Sequence, residues 1–184
     1  LMDLEFNSAL ITGGAGFIGS HIAEKLIGAG INVKVLDNLA TGKKENLKNC
    51  LNKKNFQFFE QDLGNLENNN FLDDVDIVFH MAADPEVRTG YDKPENSFNQ
   101  NIRNTFNLLQ KIKHSKVKKI LFASSSSVYG DAKVLPTPEN YSPLLPISHY
   151  GASKLACEAL ISSFCHNYEM DGIIIRPANV IGIR

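Results

Sequence analysis

The chain has 184 residues, 43% of them hydrophobic and 21% charged, and its formal net charge is −1. A chain of this length buries roughly 70% of the surface that it exposes when unfolded, which is enough for one complete hydrophobic core. Because the net charge is close to zero, we expect neither nucleic acid nor an anionic membrane surface as a partner.

Six short segments rich in branched and aromatic residues predict β-strands, and segments with helical spacing separate them. The predicted strands cover residues 8–12, 32–37, 56–62, 75–80, 118–124 and 172–176. The apolar residues with helical spacing are Ile18, Ile22, Leu26 and Ala29, then Phe98, Ile102, Phe106, Leu109 and Ile112, then Ala156, Leu160, Phe164 and Tyr168. Strands that alternate with helices form right-handed crossovers and a parallel sheet.

The predicted fold is therefore α/β, with a doubly wound parallel sheet (Rossmann fold) in one domain over residues 1–184. We expect the strand order 3-2-1-4-5-6 that is typical of dinucleotide-binding sheets. The stretches "ALIT", "DIVFHM" and "GIIIR" are mostly apolar rather than alternating, which predicts strands that are buried on both faces. Residues 130–148 contain four prolines and predict a long irregular loop.

The first predicted strand leads into a glycine-rich turn, Gly14-x-Gly16-x-x-Gly19, with Gly13 directly before it. Between a strand and a helix, these glycines permit a tight turn and a close approach of a pyrophosphate to the backbone. The N–H groups at the start of the helix then favour binding of the phosphates. A turn that has glycines only for its backbone conformation is the alternative.

Asp37 favours the dinucleotide interpretation, because it ends the second predicted strand, 18 residues after Gly19. A carboxylate in this place accepts hydrogen bonds from both ribose hydroxyls and repels a 2′-phosphate. Asn38 follows, where an NADP enzyme would often have an arginine. Asp62 and Leu63 close the third strand and are predicted to meet the adenine edge. The predicted cofactor is NAD, although Asp37 by itself would also suit a capping role.

The sequence "YGASK" places Tyr150 and Lys154 four residues apart, on one face of a predicted helix. An ammonium group near a phenol favours the phenolate and lowers a tyrosine pKa that is normally about 10. Ser125, which follows the fifth predicted strand, would hold a substrate oxygen during proton transfer. The alternative is a plain helix start with a packed tyrosine and an exposed lysine.

The cysteines and histidines show no metal-ligand spacing. Cys50, Cys157 and Cys165 are odd in number and far apart, and none of the five histidines forms a ligand-spaced pair. We expect no metal and no disulfide, and this cysteine usage is typical of a reducing compartment. Since the sequence shows no apolar run of membrane-spanning length and no signal-peptide pattern, we expect no membrane association and a cytoplasmic location.

Six motifs occur in order along the chain: "TGGAGFIG", "DNLATGKKENL", "HMAA", "SSSSVYG", "YGASK" and "RPANVIG". Together they resemble the extended short-chain dehydrogenase/reductase family, and most closely its nucleotide-sugar epimerases of the UDP-glucose 4-epimerase type. The resemblance extends from Ala9 to the last residue. It implies NAD as the cofactor and a UDP-hexose as the substrate.

The resemblance implies roles for the positions that match the motifs. The implied cofactor-binding residues are Gly13, Gly16, Phe17, Ile18, Gly19, Asp37, Asn38, Leu39, Thr41, Gly42, Asp62, Leu63, Met81, Ala82, Ala83, Asn101, Ser124, Tyr150, Lys154 and Ala178. The implied catalytic residues are Ser125, Tyr150 and Lys154, and the implied substrate-binding residues are Ser125, Ser126, Ser127, Tyr150 and Asn179. Tyr150 would act as base and acid, and Lys154 would tune its pKa and anchor the ribose.

The implied reaction is a reversible oxidation at C4 of the sugar. Related dehydratases have Asp-Glu after the catalytic serine or threonine, whereas this chain has Ser126 and Ser127, which favours epimerisation. Asp84, Pro85 and Glu86 differ from the commoner epimerase sequences, so the identity of the sugar stays open. The alternatives are a dehydratase or reductase of another nucleotide sugar, and a non-catalytic NAD-binding module that would be expected to lack the tyrosine or the lysine.

Members of this family continue beyond "RPANVIG" into a smaller C-terminal domain that closes over the nucleotide sugar. The sequence stops at Arg184, so we expect a truncated chain that lacks the substrate domain and is inactive by itself. The resemblance also implies a homodimer through a four-helix interface. Phe106, Leu109, Leu160 and Phe164 suit such an interface and suit core packing equally.

Overall fold

The computed structural model of the chain describes residues 5–86 and 93–183. Its six strands are β1 (Ser8–Thr12), β2 (Asn32–Asp37), β3 (Phe56–Glu60), β4 (Ile77–His80), β5 (Lys119–Ala123) and β6 (Asp171–Ile175). They form one parallel sheet in the order β3-β2-β1-β4-β5-β6. This order confirms the predicted doubly wound α/β fold.

Three long helical elements cover the sheet. Helix α1 is Phe17–Gly28, helix α2 runs through Pro94–Asn96, the π-helical segment Ser97–Arg103 and Asn104–Ile112, and helix α3 is His149–Asn167. Short 3₁₀ turns occur at Lys44–Leu47, Asn70–Leu72 and Ser126–Tyr129. The proline-rich segment 130–148 forms neither helix nor strand, as its composition predicts.

Residues on the two faces of the central strand β1 pack into two separate cores. Ala9 and Ile11 pack on one face with Leu26 of α1. Leu10 packs on the other face with Leu108 of α2 and Ile161 of α3. Because side chains alternate across a strand, one apolar strand supplies both cores, which explains its unbroken apolar sequence.

The prediction that the sixth strand is buried on both faces is wrong. In β6, Ile173 and Ile175 are 47% and 41% exposed. The reason is position, because β6 is the last strand in the order and pairs only with β5 among the described residues. An apolar run has the same sequence pattern at the edge of a sheet as at its centre, so the pattern cannot tell the two apart.

In the part of the chain that the structure describes, no helix combines the length and the apolarity needed to cross a bilayer. Over the same residues, no three His, Cys, Asp or Glu side chains are grouped as a metal ion would require. The three cysteines are buried and form no disulfide in the described part of the chain.

Candidate functional site

A cleft of about 580 Å³ runs along the edge of the sheet that is formed by the C-terminal ends of the parallel strands. All six strands contribute residues to its wall, at or just after their C-terminal ends. In doubly wound sheets this edge is where ligands bind, because the loops there diverge to opposite faces and leave a crevice.

Most of the predicted cofactor and catalytic residues line this cleft. They are Gly13, Gly16, Phe17, Ile18, Gly19, Asp37, Asn38, Thr41, Gly42, Leu63, Met81, Ala82, Ala83, Ser124, Ser125, Tyr150, Lys154 and Ala178. Six predicted residues do not line it: Leu39, Asp62, Asn101, Ser126, Ser127 and Asn179.

The glycine-rich turn joins β1 to α1 and brings backbone to the wall of the cleft. Gly13 has a φ of +66°, and a Cβ there would lie 2.7 Å from the Cα of Ala82. A Cβ on Gly19 would collide with the backbone of Gly13. Gly16 caps α1 without a side-chain hydrogen bond, so the N–H groups of the first turn remain available. This arrangement suits a phosphate group.

The carboxylate of Asp37 is 7% exposed and is held in a fixed orientation. Its Oδ2 accepts the N–H of Ala15 at 2.9 Å, and its Oδ1 accepts the N–H of Leu39 at 2.8 Å. A carboxylate can accept about four hydrogen bonds, so two acceptor positions remain for a ligand. Leu39 thus contributes its N–H to orienting Asp37 rather than a surface to the cleft.

The predicted adenine end differs from the expectation at one residue. Leu63 lines the cleft but Asp62 does not, because its carboxylate accepts the amide of Asn38 at 2.5 Å and the N–H of Gly64 at 2.6 Å. Gln61, which was not predicted, lines the wall instead. Its buried Oε1 has no hydrogen-bond partner among the described residues. An acceptor without a donor in this wall suits a ligand that carries an amino group.

The structure does not bring Asn101 to the cleft wall. Its side-chain Oδ1 accepts the N–H of Asp84 at 2.7 Å, and its Nδ2 donates to the hydroxyl of Ser153 at 2.9 Å. Asn101 therefore ties the segment after β4 to helix α3. The cleft is lined instead by Gln100 and Asn104, which lie four residues apart on the same helix. Their spacing was the signal that could have identified them.

Two hydroxyl groups determine how Ser125 and Tyr150 meet. The side chain of Ser148 accepts the N–H of Gly151 at 3.0 Å and so starts α3 just before Tyr150. Ser125 accepts the N–H of Ser127 at 3.1 Å and the hydroxyl of Ser127 at 2.9 Å. Since Ser125 accepts both bonds, its own proton is free to be donated toward Tyr150. Ser127 therefore orients Ser125 and does not line the cleft.

Burial dominates the electrostatics of the tyrosine and the lysine. Burial raises the pKa of Tyr150, the hydrogen bond with Ser125 lowers it, and the charge of Asp84 raises it. Burial also lowers the pKa of Lys154 to about 8. Its Nζ donates to the carbonyl of Ala123 at 2.8 Å and lies 5.7 Å from the centre of the Tyr150 ring. The prediction that Lys154 lowers the pKa of Tyr150 is therefore corrected, because burial raises this pKa and the lowering effect comes from Ser125.

The remaining predicted residues have other partners or face solvent. Ser124 lines the cleft, but its hydroxyl donates to Glu158 at 2.5 Å, on the side of α3. Ser126 and Asn179 are exposed outside the cleft wall. The wall near Asn179 is formed by its neighbours Pro177, Ala178 and Val180.

Comparison with known proteins gives consistent matches. The profile of the NAD dependent epimerase/dehydratase family matches residues 9–184. A putative UDP-glucose 4-epimerase of Methanocaldococcus jannaschii is 41% identical over 176 residues, which are 95% of this chain and 56% of that protein. A UDP-glucose 4-epimerase of Mycolicibacterium smegmatis is 35% identical and is covered to the same 56%. The chain thus spans a little over half the length of these relatives.

Solved structures agree with the sequence relatives. The UDP-N-acetylglucosamine 4-epimerase from Methanobrevibacter ruminantium M1, in complex with UDP-N-acetylmuramic acid, is 37% identical with a TM-score of 0.87, covering 94% of this chain and 55% of that one. The UDP-glucuronic acid 4-epimerase from Bacillus cereus, in complex with UDP-glucuronic acid and NAD, is 35% identical with a TM-score of 0.85. It covers 92% of this chain, which spans 55% of that one.

Proposed function

Because the chain belongs to the NAD dependent epimerase/dehydratase family, we propose that it is the cofactor-binding part of a UDP-sugar 4-epimerase of the UDP-glucose/UDP-galactose type. One observation carries the proposal. The cleft has a fixed carboxylate, Asp37, at one end and the group Ser125, Tyr150 and Lys154 at the other. A dinucleotide site that ends at a tyrosine able to transfer a proton suits the oxidation of an alcohol.

The residues of the cleft suit NAD. The first turn of α1 would hold the pyrophosphate and Asp37 the ribose hydroxyls, while Gln61 and Leu63 would meet the adenine. Ala82 and Ala178 would flank the nicotinamide. Bound NAD would supply reversible acceptance of a hydride and the positive charge of its oxidised ring.

The chain's own residues handle the proton. Tyr150 would take the proton from the 4-hydroxyl of the sugar. It would return the proton after the oxidised sugar has rotated in the site. Ser125, oriented by Ser127, would hold the substrate oxygen within reach. Lys154 lies beside the tyrosine, with its Nζ 5.7 Å from the centre of the Tyr150 ring, and would anchor the ribose of the cofactor. Lys154 is buried and Tyr150 is half-buried, which limits the access of water to the transfer.

The side chains near Ser125 favour epimerisation over dehydration. Expulsion of water from the sugar needs an additional acid, and the two residues after Ser125 are serines. Ser127 is bonded to Ser125, and Ser126 is exposed. The presence of both Tyr150 and Lys154 at the wall argues against a non-catalytic NAD-binding module.

The substrate is tested with the protein expressed from the complete natural gene. It is assayed with UDP-glucose, UDP-galactose, their N-acetyl forms and UDP-glucuronic acid. We expect the highest kcat/KM for UDP-glucose and UDP-galactose, with the product differing only at C4. A clear preference for UDP-glucuronic acid would overturn the substrate type. Release of a dehydrated 4-keto sugar would overturn epimerisation and favour the dehydratase.

We further propose that residues 1–184 form one NAD-binding domain that retains NAD but does not turn over sugar by itself. The protein would act in the cytoplasm, where its buried thiols stay reduced. It would pair as a homodimer through helices α2 and α3.

A further inference from the structure

Glu158 is a buried acid that the proposed proton transfer does not use. It lies on α3, one turn after Lys154, and is 6% exposed. Its Oε1 accepts the hydroxyl of Ser124 at 2.5 Å and the Nε of Arg176 at 2.9 Å. Its Oε2 accepts the Nη2 of Arg176 at 2.7 Å. The carboxylate is therefore bidentate to one arginine and also bound to a serine.

Arg176 extends this network to two more segments. Its Nη1 donates to the hydroxyl of Tyr129 at 3.1 Å and to the carbonyl of Glu139 at 3.3 Å. The guanidinium also lies 5.0 Å from the centre of the Tyr129 ring. The 3₁₀ turn after Ser125 and the proline-rich segment are thus both fastened to the same arginine.

Two members of the network, Ser124 and Arg176, are next in sequence to residues of the cleft wall. Ser124 precedes Ser125, and Arg176 precedes Pro177 and Ala178. Two backbone bonds run parallel to these contacts, from Ser124 N–H to Ile175 O at 2.8 Å and from Ser126 N–H to Pro177 O at 3.0 Å. One ion pair, between a buried glutamate and a partly exposed arginine, therefore joins helix α3, the residues around Ser125 and the segment Pro177–Ala178, all of which contribute to the wall around Tyr150.

Stability alone does not account for a pair of this kind. Burying two charges costs desolvation free energy, and well-packed apolar residues in place of a buried pair are often neutral or stabilising. The paired charges are best explained by the fixed, bidentate geometry that they impose, since an apolar pair would not define orientation so tightly.

We propose that Glu158 and Arg176 are positioning residues for the proposed reaction, and that they fix Ser125 and the segment Pro177–Ala178 against Tyr150 and Lys154. The inference rests on the proposed function. If the pair is weakened, Ser125 shifts relative to Tyr150, and the hydrogen bond that lowers the pKa of Tyr150 is lengthened. The turnover number should then fall, and the pH dependence of turnover should move.

A double variant distinguishes an effect on stability from an effect on the positioning of Ser125. The variants are made in the protein expressed from the complete natural gene. Glu158→Met and Arg176→Met, made singly, each leave one charge of the pair without its partner and should lower the Tm. The double variant E158M/R176M removes both charges and should regain most of the Tm. We expect its kcat for UDP-galactose to stay at least tenfold below that of the parent, while the KM and the Kd for NAD change less than about threefold.

Ser124→Ala is a second test, in which no apolar side chains replace the ion pair. It removes a single oxygen and leaves the ion pair in place. We expect a Tm close to that of the parent and a lower kcat. In the plot of activity against pH, the limb that reports ionisation of Tyr150 should move to higher pH. The matched control is the exposed pair Lys116–Asp74, where K116M/D74N should leave both Tm and kcat unchanged.

A purely structural role predicts different results. If E158M/R176M regained the Tm and the kcat together, or if S124A kept the kcat and the pH profile of the parent, the positioning role would be overturned. A loss of kcat that only reflected unfolded protein would be matched by an equal loss of NAD-binding capacity, and that result would also overturn it. A parent protein without activity on any UDP-sugar would overturn the proposed function, and this role with it.

Discussion

At the scale of single residues, Asp37 and Tyr150 carry the proposed cofactor binding and proton transfer, and both are oriented by neighbours. The two backbone N–H groups on Asp37 keep its carboxylate turned to the cleft, so ribose contacts require no side-chain rearrangement. Tyr150 receives its hydrogen bond from a serine that is itself held by another serine. At both residues the useful atom is fixed before a ligand arrives, which reduces the entropic cost of binding.

Replacing Asp37 should change the choice between NAD and NADP. Its carboxylate would accept the 2′-hydroxyl of NAD and repel the 2′-phosphate of NADP. We expect isothermal titration to show much tighter binding of NAD by the parent, and a smaller difference in Asp37→Ala. Equal affinities of the parent for the two cofactors would contradict the assignment.

Removing the hydroxyl of Tyr150 should remove proton transfer and leave the ring in place. We expect Tyr150→Phe to reduce the turnover of the protein from its natural reading frame by roughly 10²–10⁴-fold. NAD binding should be retained, because the ring still packs against the cleft. Tyr141→Phe, which changes a half-buried tyrosine of the proline-rich segment outside the cleft wall, serves as the control and should have parent activity. Near-normal turnover in Tyr150→Phe would make "YGASK" an ordinary start of a helix.

Two predicted residues lie off the cleft wall for one shared physical reason. Asn101 and Asp62 are polar side chains near strand ends or on a cleft-facing helix, which is where ligand contacts are expected. Their partners are Ser153 and Asn38, which are 52 and 24 residues away along the chain. Whether such a side chain meets a ligand or anchors a distant segment depends on tertiary contacts that a motif does not contain.

Helix α3 is the element that combines these roles. Ser148 caps it, Tyr150 and Lys154 face the cleft from its first two turns, and Cys157 and Ile161 continue into the core. Lys154 is 3% exposed, although a lysine normally avoids burial. The helix therefore contains a charged group whose burial reduces the stability of the fold.

Lys154→Met should raise the stability of the protein at pH 7. The folded pKa of Lys154 is about 8, below its usual 10.5, so the unfolded state binds more protons between these two pH values. The stability contributed by this group is therefore complete above pH 10.5 and is lost as the pH falls to 8. After allowing for the lost bond to Ala123, we expect a gain of about 1–3 kcal/mol at pH 7.

Denaturant unfolding at several pH values measures this effect. The difference between Lys154→Met and the parent should shrink as the pH rises from 8 toward 10.5. Lys116→Met replaces an exposed lysine and should show no such trend. A variant less stable than the parent at pH 7 would contradict the idea that burial of Lys154 is costly.

The elements themselves were predictable because their patterns are local. Each predicted strand agrees with the structure to within two residues at either end, since branched residues and turn signals mark these boundaries. The exposure of β6 was not predictable, because it depends on which strand lies at the edge. The most buried residues of α3 include Cys157, Ile161 and Cys165, next in sequence to the predicted stripe of Ala156, Leu160 and Phe164. Helical periodicity alone cannot tell which of two adjacent apolar stripes faces the core.

At the scale of the whole molecule, the surface of α2 and α3 separates two interpretations that the sequence left open. Leu109 is fully buried and belongs to the core, whereas Phe106 is 41% exposed. Phe106 packs edge to face on Phe164, which in turn contacts Tyr168. A half-exposed aromatic surface on two adjacent helices suits the proposed homodimer.

Charge on this surface should therefore break the dimer. We expect light scattering on the parent protein to give twice the monomer mass, and Phe106→Glu to give the monomer mass with the fold retained. Leu145→Glu, in the exposed proline-rich segment, is the control and should remain dimeric. A monomeric parent, or a dimer that tolerates Phe106→Glu, would contradict the proposed interface.

The central claim is that the cleft performs a reversible oxidation at C4 of a UDP-sugar, and NMR in D₂O tests it most directly. The protein from its natural reading frame is incubated with UDP-galactose, and the C4 signal of the product is followed. The account predicts conversion to UDP-glucose that retains the original hydrogen on C4, because that hydrogen leaves and returns without meeting water. Absence of conversion, or a product with deuterium at C4, would contradict it.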